Sequence, residues 1–159
     1  ALLNCKKNRL EQNLVHQYLL KELSPLCTEI HGSTVDLLQL VKVQHLKSRV
    51  GGTLKTGSTD AELLKILHPT PAVCGVPKEK AMHLIRETEL FYRGWYAGAL
   101  GFFGMDTSEF FVGIRSGVLT GREFHMFAGA GIVEGSIPSL EWEEIENKFK
   151  NYTFVLGGK

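Results

Sequence analysis

The hydrophobic pattern of this chain changes character near Arg93, and that change limits the folds open to it. Before it, apolar residues recur largely at helical spacing, as with Leu3, Leu10, Leu14 and Tyr18 between Leu2 and about Leu23, where Pro25 stands just beyond as a stop. After it, Trp95 to Phe103, Glu109 to Leu119 and Glu123 to Val133 are rich in aromatic and β-branched residues. Thr120-Gly121-Arg122 offers a turn between the last two, so antiparallel strands are predicted. Helices and antiparallel strands in separate blocks predict an α+β layered fold, because a doubly wound parallel sheet would need them to alternate.

Shorter signals fill in the first half. Thr34 to Leu46 alternates at period two, with Val35, Leu37, Val41 and Val43 apolar and Lys42 and Gln44 between the last of them, which predicts a strand. Arg49 to Ser58 contains three glycines and reads as a loop. Thr59 with Glu62 makes a capping box before a short helix that the turn His68-Pro69-Thr70-Pro71 ends. Pro77 is suited to the first position of a further helix running to Glu89. Ser139 is placed to cap a last helix through Tyr152.

At 159 residues the chain fits one domain, large enough to bury a core. Eighteen basic against seventeen acidic residues leave a formal charge of +1, so no overall field argues for nucleic acid or an anionic membrane, and a partner must be sought at a local site. Cys5, Cys27 and Cys74 form no Cys-x-x-Cys pair, which suits a reducing compartment such as the cytoplasm. No apolar stretch reaches the roughly 18 residues of a membrane helix, and the first ten residues lack the apolar block of a signal peptide. The abrupt opening, Ala1-Leu2-Leu3-Asn4, with neither initiator methionine nor cap, reads as a cut inside a longer protein.

Several constellations could carry chemistry. On the last helix Trp142, Ile145 and Phe149 form one stripe, and Glu141, Glu144 and Lys148 another. The second stripe is either a solvated face with a Glu144–Lys148 ion pair or a site. On the first helix Lys7 and Glu11 are one turn apart beside Asn8 and Gln12. Magnesium takes oxygen ligands and needs only one or two carboxylates, so two glutamates from separate helices would suffice; periodicity does not tell whether they meet. Ala128-Gly129-Ala130-Gly131 follows a strand, where small residues let backbone N–H groups approach an anion, or simply allow a tight exit. Arg115 lies within an apolar strand and should either face solvent or meet a carboxylate in a bidentate pair. His45 and His68 suit acid-base work or structural hydrogen bonding.

Seven stretches in order carry a resemblance: Lys7-Asn8-Arg9-Leu10-Glu11, Val43-Gln44-His45-Leu46, Leu67-His68-Pro69-Thr70-Pro71-Ala72-Val73, Arg93-Gly94-Trp95-Tyr96-Ala97-Gly98, Ile114-Arg115-Ser116, Ala128-Gly129-Ala130-Gly131-Ile132-Val133 and Glu141-Trp142-Glu143-Glu144. Together they resemble the chorismate-binding enzyme family over nearly the whole chain, nearest to its isochorismate synthase branch. The resemblance implies the C-terminal part of an α/β sandwich of antiparallel sheets with outer helices. It also implies that Glu11 and Glu144 are magnesium ligands with Glu141 close by. Tyr96, Arg115, the Gly129 backbone and Lys148 would then hold chorismate's carboxylates, with His45 in the pocket wall. Ala72 stands where ammonia-using members carry threonine, which favours water as nucleophile.

The implied reaction adds water at ring carbon 2 of chorismate and expels the hydroxyl of carbon 4. It needs one group to deprotonate water and another to protonate the leaving oxygen. In the family these are a lysine and a glutamate that precede the stretch matching the first helix, so this chain alone is expected to lack turnover. Apolar surface that the preceding part would cover predicts self-association. Departures are Asn8 where many members have an acid, Gln12 where histidine is usual, and Cys74 where this branch commonly has glycine.

Overall fold

A computed structural model describes residues 2–40 and 44–155, which divide into two compact units, Ala1–Glu89 and Leu90–Lys159. The first unit is built on the helix α1, Lys6–Leu23. It ends where the Ser24 N–H donates to the Leu20 carbonyl and Pro25 enters a single 3-10 turn over Ser24–Leu26. The chain then forms β1 (Cys27–Gly32), β2 (Asp36–Gln39), β3 (Gln44–Lys47) and β4 (Val50–Leu54). β2 and β3 make an antiparallel hairpin inside the antiparallel pair β1–β4, and α1 packs against β1, β3 and β4.

Two expectations are corrected in this region. The single strand expected over 34–46 is a hairpin, with Leu37 opposite Leu46 and Leu38 opposite His45. The alternation at Val41, Lys42 and Val43 lies outside the described residues. The loop expected over 49–58 contains β4, and β1 had no signal of its own. Glycine weakens a strand by its entropy and lack of a packing side chain, but Gly52 lies so close to the Glu29 carbonyl and the Cys27 sulfur that any side chain would collide. Here the close approach of β1 requires the residue that makes β4 look like a loop.

The capping box forms as read: the Thr59 hydroxyl accepts from the Glu62 N–H, and Glu62 Oε2 accepts from the Thr59 N–H at 2.9 Å. It starts α2, Asp60–Leu67, which α1 contacts and to whose Ile66 carbonyl the Tyr18 hydroxyl donates at 2.9 Å. Burial, with Glu22 beside it, pushes the Tyr18 phenol up, so it remains a donor at ordinary pH. Pro77 is the cap of α3, Lys78–Thr88, rather than its first residue.

The second unit holds β5 (Ala99–Phe103), β6 (Ser108–Val112), β7 (Ser116–Thr120) and β8 (Glu123–Phe127), followed by α4 (Pro138–Val155). β5 pairs with β6 and β7 with β8, both antiparallel. The stretch 109–119 is therefore two strands, interrupted at Gly113-Ile114-Arg115, where Arg115 takes the left-handed conformation with φ of 48°. Trp95 to Gly98 precede β5 as a turn, and α4 begins at Pro138, so Ser139 lies inside it instead of capping it.

In β5 the sequence Ala-Leu-Gly-Phe-Phe has no polar alternation, the pattern of a strand meant to be covered on both faces. Leu100, Phe102 and Phe103 are exposed, as are Phe111 on β6 and Leu119 on β7. Among the described residues only Cys27 and Ala97 are buried apolar side chains. The α+β class holds, with open apolar ribbons.

Candidate active site

The second unit draws most of the expected carboxylate-binding residues together around the exit of β8. That strand ends at Phe127, and Ala128-Gly129-Ala130-Gly131 follows without regular structure, as the small residues suggest. Glu144, Lys148 and Tyr152 succeed one another at four-residue intervals on α4 and so share one face. Lys148 Nζ donates to the Gly129 carbonyl at 2.6 Å and to Glu144 Oε1 at 2.5 Å. One turn on, the Tyr152 hydroxyl lies 2.9 Å from the Phe127 carbonyl and 3.2 Å from that of Ser116.

Tyr96 completes this group. Its ring stacks on Phe127 with centroids 5.6 Å apart and planes at 16°, and the Arg93 guanidinium lies 5.7 Å over its centroid. The Tyr96 hydroxyl sits against Gly129, where an added Cβ would come within 2.5 Å of it. Arg115 stands at the entrance to β7, immediately before Ser116, and is exposed. Tyr152 senses both neighbours: burial and Tyr96 push its phenol up, while the Arg115 charge pulls it down. Tyr96, Arg115 and Tyr152 therefore share one electrostatic neighbourhood, carrying the Arg115 and Lys148 cations and two phenols. Such a set suits a ligand with carboxylates, since charge-assisted hydrogen bonds from Arg and Lys are roughly twice as strong as neutral ones.

Two expectations change here. Arg115 is not inside a strand but at a strained junction between β6 and β7. On α4 the faces do not sort as apolar-in and charged-out: Glu141 is only 5% exposed, whereas Trp142 is 63% exposed. Periodicity shows that a helix has two faces, but which one is covered depends on what packs there.

The first unit carries the remaining expected residues. Glu11 lies on α1 with Oε1 buried and Lys7 Nζ at 3.8 Å, longer than a hydrogen bond. Beside it Gln12 Nε2 donates to Ser48 Oγ at 2.8 Å, and His16 Nδ1 is 3.0 Å from the same hydroxyl. This tie between α1 and the β3–β4 connection escaped the sequence reading, because its members lie more than thirty residues apart in the chain. His45 is half-buried in β3. Ala72 is exposed in the turn that follows His68-Pro69-Thr70-Pro71, where the Thr70 carbonyl accepts from the N–H groups of Val73 and Cys74. Burial, reinforced by the Lys78 charge, pushes His68 below its ordinary range, and Lys78 Nζ donates to the His68 carbonyl at 2.9 Å. Among the described residues no three His, Cys, Asp or Glu side chains cluster as a metal site.

The seven stretches noted in the sequence gain their meaning from comparison. The sequence profile described as chorismate binding enzyme matches residues 1–157. The chain belongs to the chorismate-binding enzyme family. The isochorismate synthase MenF of Pasteurella multocida is 46% identical over 159 residues, covering 98% of this chain and 37% of that protein. Isochorismate synthase 2, chloroplastic, of Arabidopsis thaliana is 44% identical over 160 residues, covering 98% of this chain and 28% of its own. The structure of MenF, the menaquinone-specific isochorismate synthase from Escherichia coli, matches with a TM-score of 0.84 at 37% identity, covering 94% of this chain and 35% of that one. The chain thus spans roughly a third of the length of these relatives.

In this family member the sequence reading missed the hydroxyl of Tyr152, taking the residue only as the end of a helix. Its position four residues after Lys148 was the available signal.

Proposed function

We propose that the protein carrying this chain is an isochorismate synthase, which isomerises chorismate by adding water at ring carbon 2 and releasing the carbon 4 hydroxyl. The atoms balance because one water enters, one leaves and the ring double bonds shift between them. The observation that carries the reading is Lys148 fixed to the Gly129 carbonyl beside the Tyr96 hydroxyl, a cation and a phenol held at one strand exit. In this reading Tyr96, Arg115, the Gly129 backbone and Lys148 grip the carboxylates. His45 lines the ring pocket. Ala72, with no hydroxyl to hold ammonia, leaves water as the nucleophile.

Magnesium belongs to the same reading. The donors Glu11 and Glu144, with Glu141 near, offer only carboxylate oxygens, which match a hard cation. The buried Glu11 Oε1 and the Glu144 carboxylate, anchored by Lys148, are the kind of preset oxygen donors such an ion takes. When bound, the ion would neutralise and orient a substrate carboxylate. Lys148 holds Glu144 in place, while Arg115 and Lys148 offset the substrate's own negative charge. The proton transfers at water and at the leaving oxygen fall to groups outside this residue set, so the chain by itself is expected to bind rather than to turn over. No helix among the described residues is long and apolar enough to cross a membrane, and a cytoplasmic setting fits the three free thiols.

The test is the full-length protein incubated with chorismate and magnesium, its products separated by chromatography. Isochorismate is expected, and its absence refutes the proposal. Salicylate would instead reveal a synthase that also eliminates pyruvate, and anthranilate an ammonia-using one.

A further inference from the structure

We propose that Tyr152 is a positioning residue for carboxylate recognition: its hydroxyl holds together the two backbone segments that present Arg115 and Gly129. The inference rests on the reading of those two residues as chorismate-binding, and deepens it. Ser116 and Phe127 are partners in register and close the β7–β8 ribbon. Arg115 immediately precedes the first, and Gly129 follows the second by two residues. Whatever fixes that closing pair therefore fixes the distance between the arginine and the glycine backbone.

The pair needs fixing, because regular structure stops on both sides of it. On one side Arg115 sits at φ of 48°, a conformation that costs a non-glycine residue free energy and persists only when its surroundings over-determine it. On the other side Ala128 has already left the ladder. A terminal pair of this kind frays most easily. The Tyr152 hydroxyl stands 2.9 Å from the Phe127 carbonyl and 3.2 Å from the Ser116 carbonyl, one from each strand. A phenol has one proton, so it serves the two acceptors in turn and bridges the strands rather than anchoring one of them.

Three further features fit this role. Lys148, one turn earlier on the same face of α4, holds the Gly129 carbonyl, so the helix meets the exit of β8 at two points. The Tyr152 ring is seated independently of its oxygen, edge-on to Phe124 at 6.3 Å and tilted against Phe149 at 6.1 Å. Burial and the nearby Tyr96 push the phenol above its ordinary range, which keeps it a donor.

The test is Tyr152→Phe in the full-length protein, which removes the oxygen and leaves the ring packing, followed by steady-state kinetics with chorismate and magnesium and by hydrogen exchange read by mass spectrometry. Loss of one neutral hydrogen bond predicts a KM for chorismate about three- to tenfold higher, with kcat nearly unchanged. Exchange should quicken at the backbone of 115–117 and 127–131 and stay the same in α2. A KM equal to that of the active wild type, or a fall in kcat without a rise in KM, overturns the positioning role, and so does unchanged exchange at both segments. A wild-type protein that neither converts nor binds chorismate overturns the isochorismate synthase reading, and the role of Tyr152 falls with it.

Discussion

Gly129→Ala should destabilise the protein, and the same substitution should stabilise it once Tyr96 is replaced by phenylalanine. An added Cβ at 129 would stand 2.5 Å from the Tyr96 hydroxyl, about 0.9 Å short of an ordinary contact, whereas the next ring atom, Cζ, is already at a comfortable 3.7 Å. The hydroxyl has little freedom to yield, because its ring stacks on Phe127 under the Arg93 guanidinium. Overpacking of this kind costs typically about 1–3 kcal/mol. Gly129 is not in the left-handed region, so alanine is compatible with its backbone and restricts the unfolded chain, a gain of about 0.4–1 kcal/mol. The net expectation is a loss of roughly 1 kcal/mol, which in a 150-residue protein lowers Tm by about 2–4 °C. In the Tyr96→Phe background only the favourable part remains, and the sign reverses. The assay is thermal denaturation of the four proteins of the double-mutant cycle. Equal destabilisation by Gly129→Ala in both backgrounds would refute the contact, and with it the account of why a glycine stands at the strand exit.

Other outcomes follow from the site and its surroundings. Calorimetry with magnesium and chorismate should detect binding that Glu11→Ala and Glu144→Ala each abolish; variants that bind as the parent does would remove both residues from the ligand set. His68 is depressed in the folded state, so its contribution to stability is complete above the ordinary histidine value of 6.5 and is lost as pH falls through the lower folded value. Tm should accordingly decline as pH falls from 6.5 to the lower folded value, with a shallower decline in His68→Asn, and identical profiles for the two proteins would count against the assignment. The open apolar ribbon at Leu100, Phe102 and Phe103 should drive self-association of the 159-residue chain at high concentration, reduced by Leu100→Lys; light scattering that returns a clean monomer would contradict this.

Where a structural signal is local, it is legible in the sequence. The Thr59–Glu62 box forms between residues three apart, and Pro25 blocks α1 from continuing, so neither depends on distant parts of the chain. β4 was obscured because its glycines answer to the neighbouring strand, and a single-strand pattern carries no record of that neighbour. The break at Gly113 to Arg115 was hidden because apolar residues run on from Phe110 to Ile114, while backbone bonds such as Gly113 N–H to the Gly98 carbonyl satisfy the chain where the ladder stops. The family resemblance named Tyr96, Arg115, Gly129, Glu144 and Lys148, and the structure brings Tyr96, Gly129, Glu144 and Lys148 into contact with one another. The resemblance could not point to Tyr152, whose oxygen matters only through carbonyls 25 and 36 residues away.

By itself the sequence determined the α+β class, the C-terminal end of α1, both ends of α2, the turn between β7 and β8, and the chemical types available at each candidate position, whereas α1 starts at Lys6 rather than at Leu2. Only the tertiary structure decided that Glu141 is covered while Trp142 is open, that Arg115 occupies a strained junction, and that one face of α4 grips the exit of β8. The physical reason is range. Caps, turns and periodicity arise from residues within one or two turns of each other, whereas burial and the grip of Lys148 and Tyr152 arise from strand pairing and helix docking that bring distant residues together.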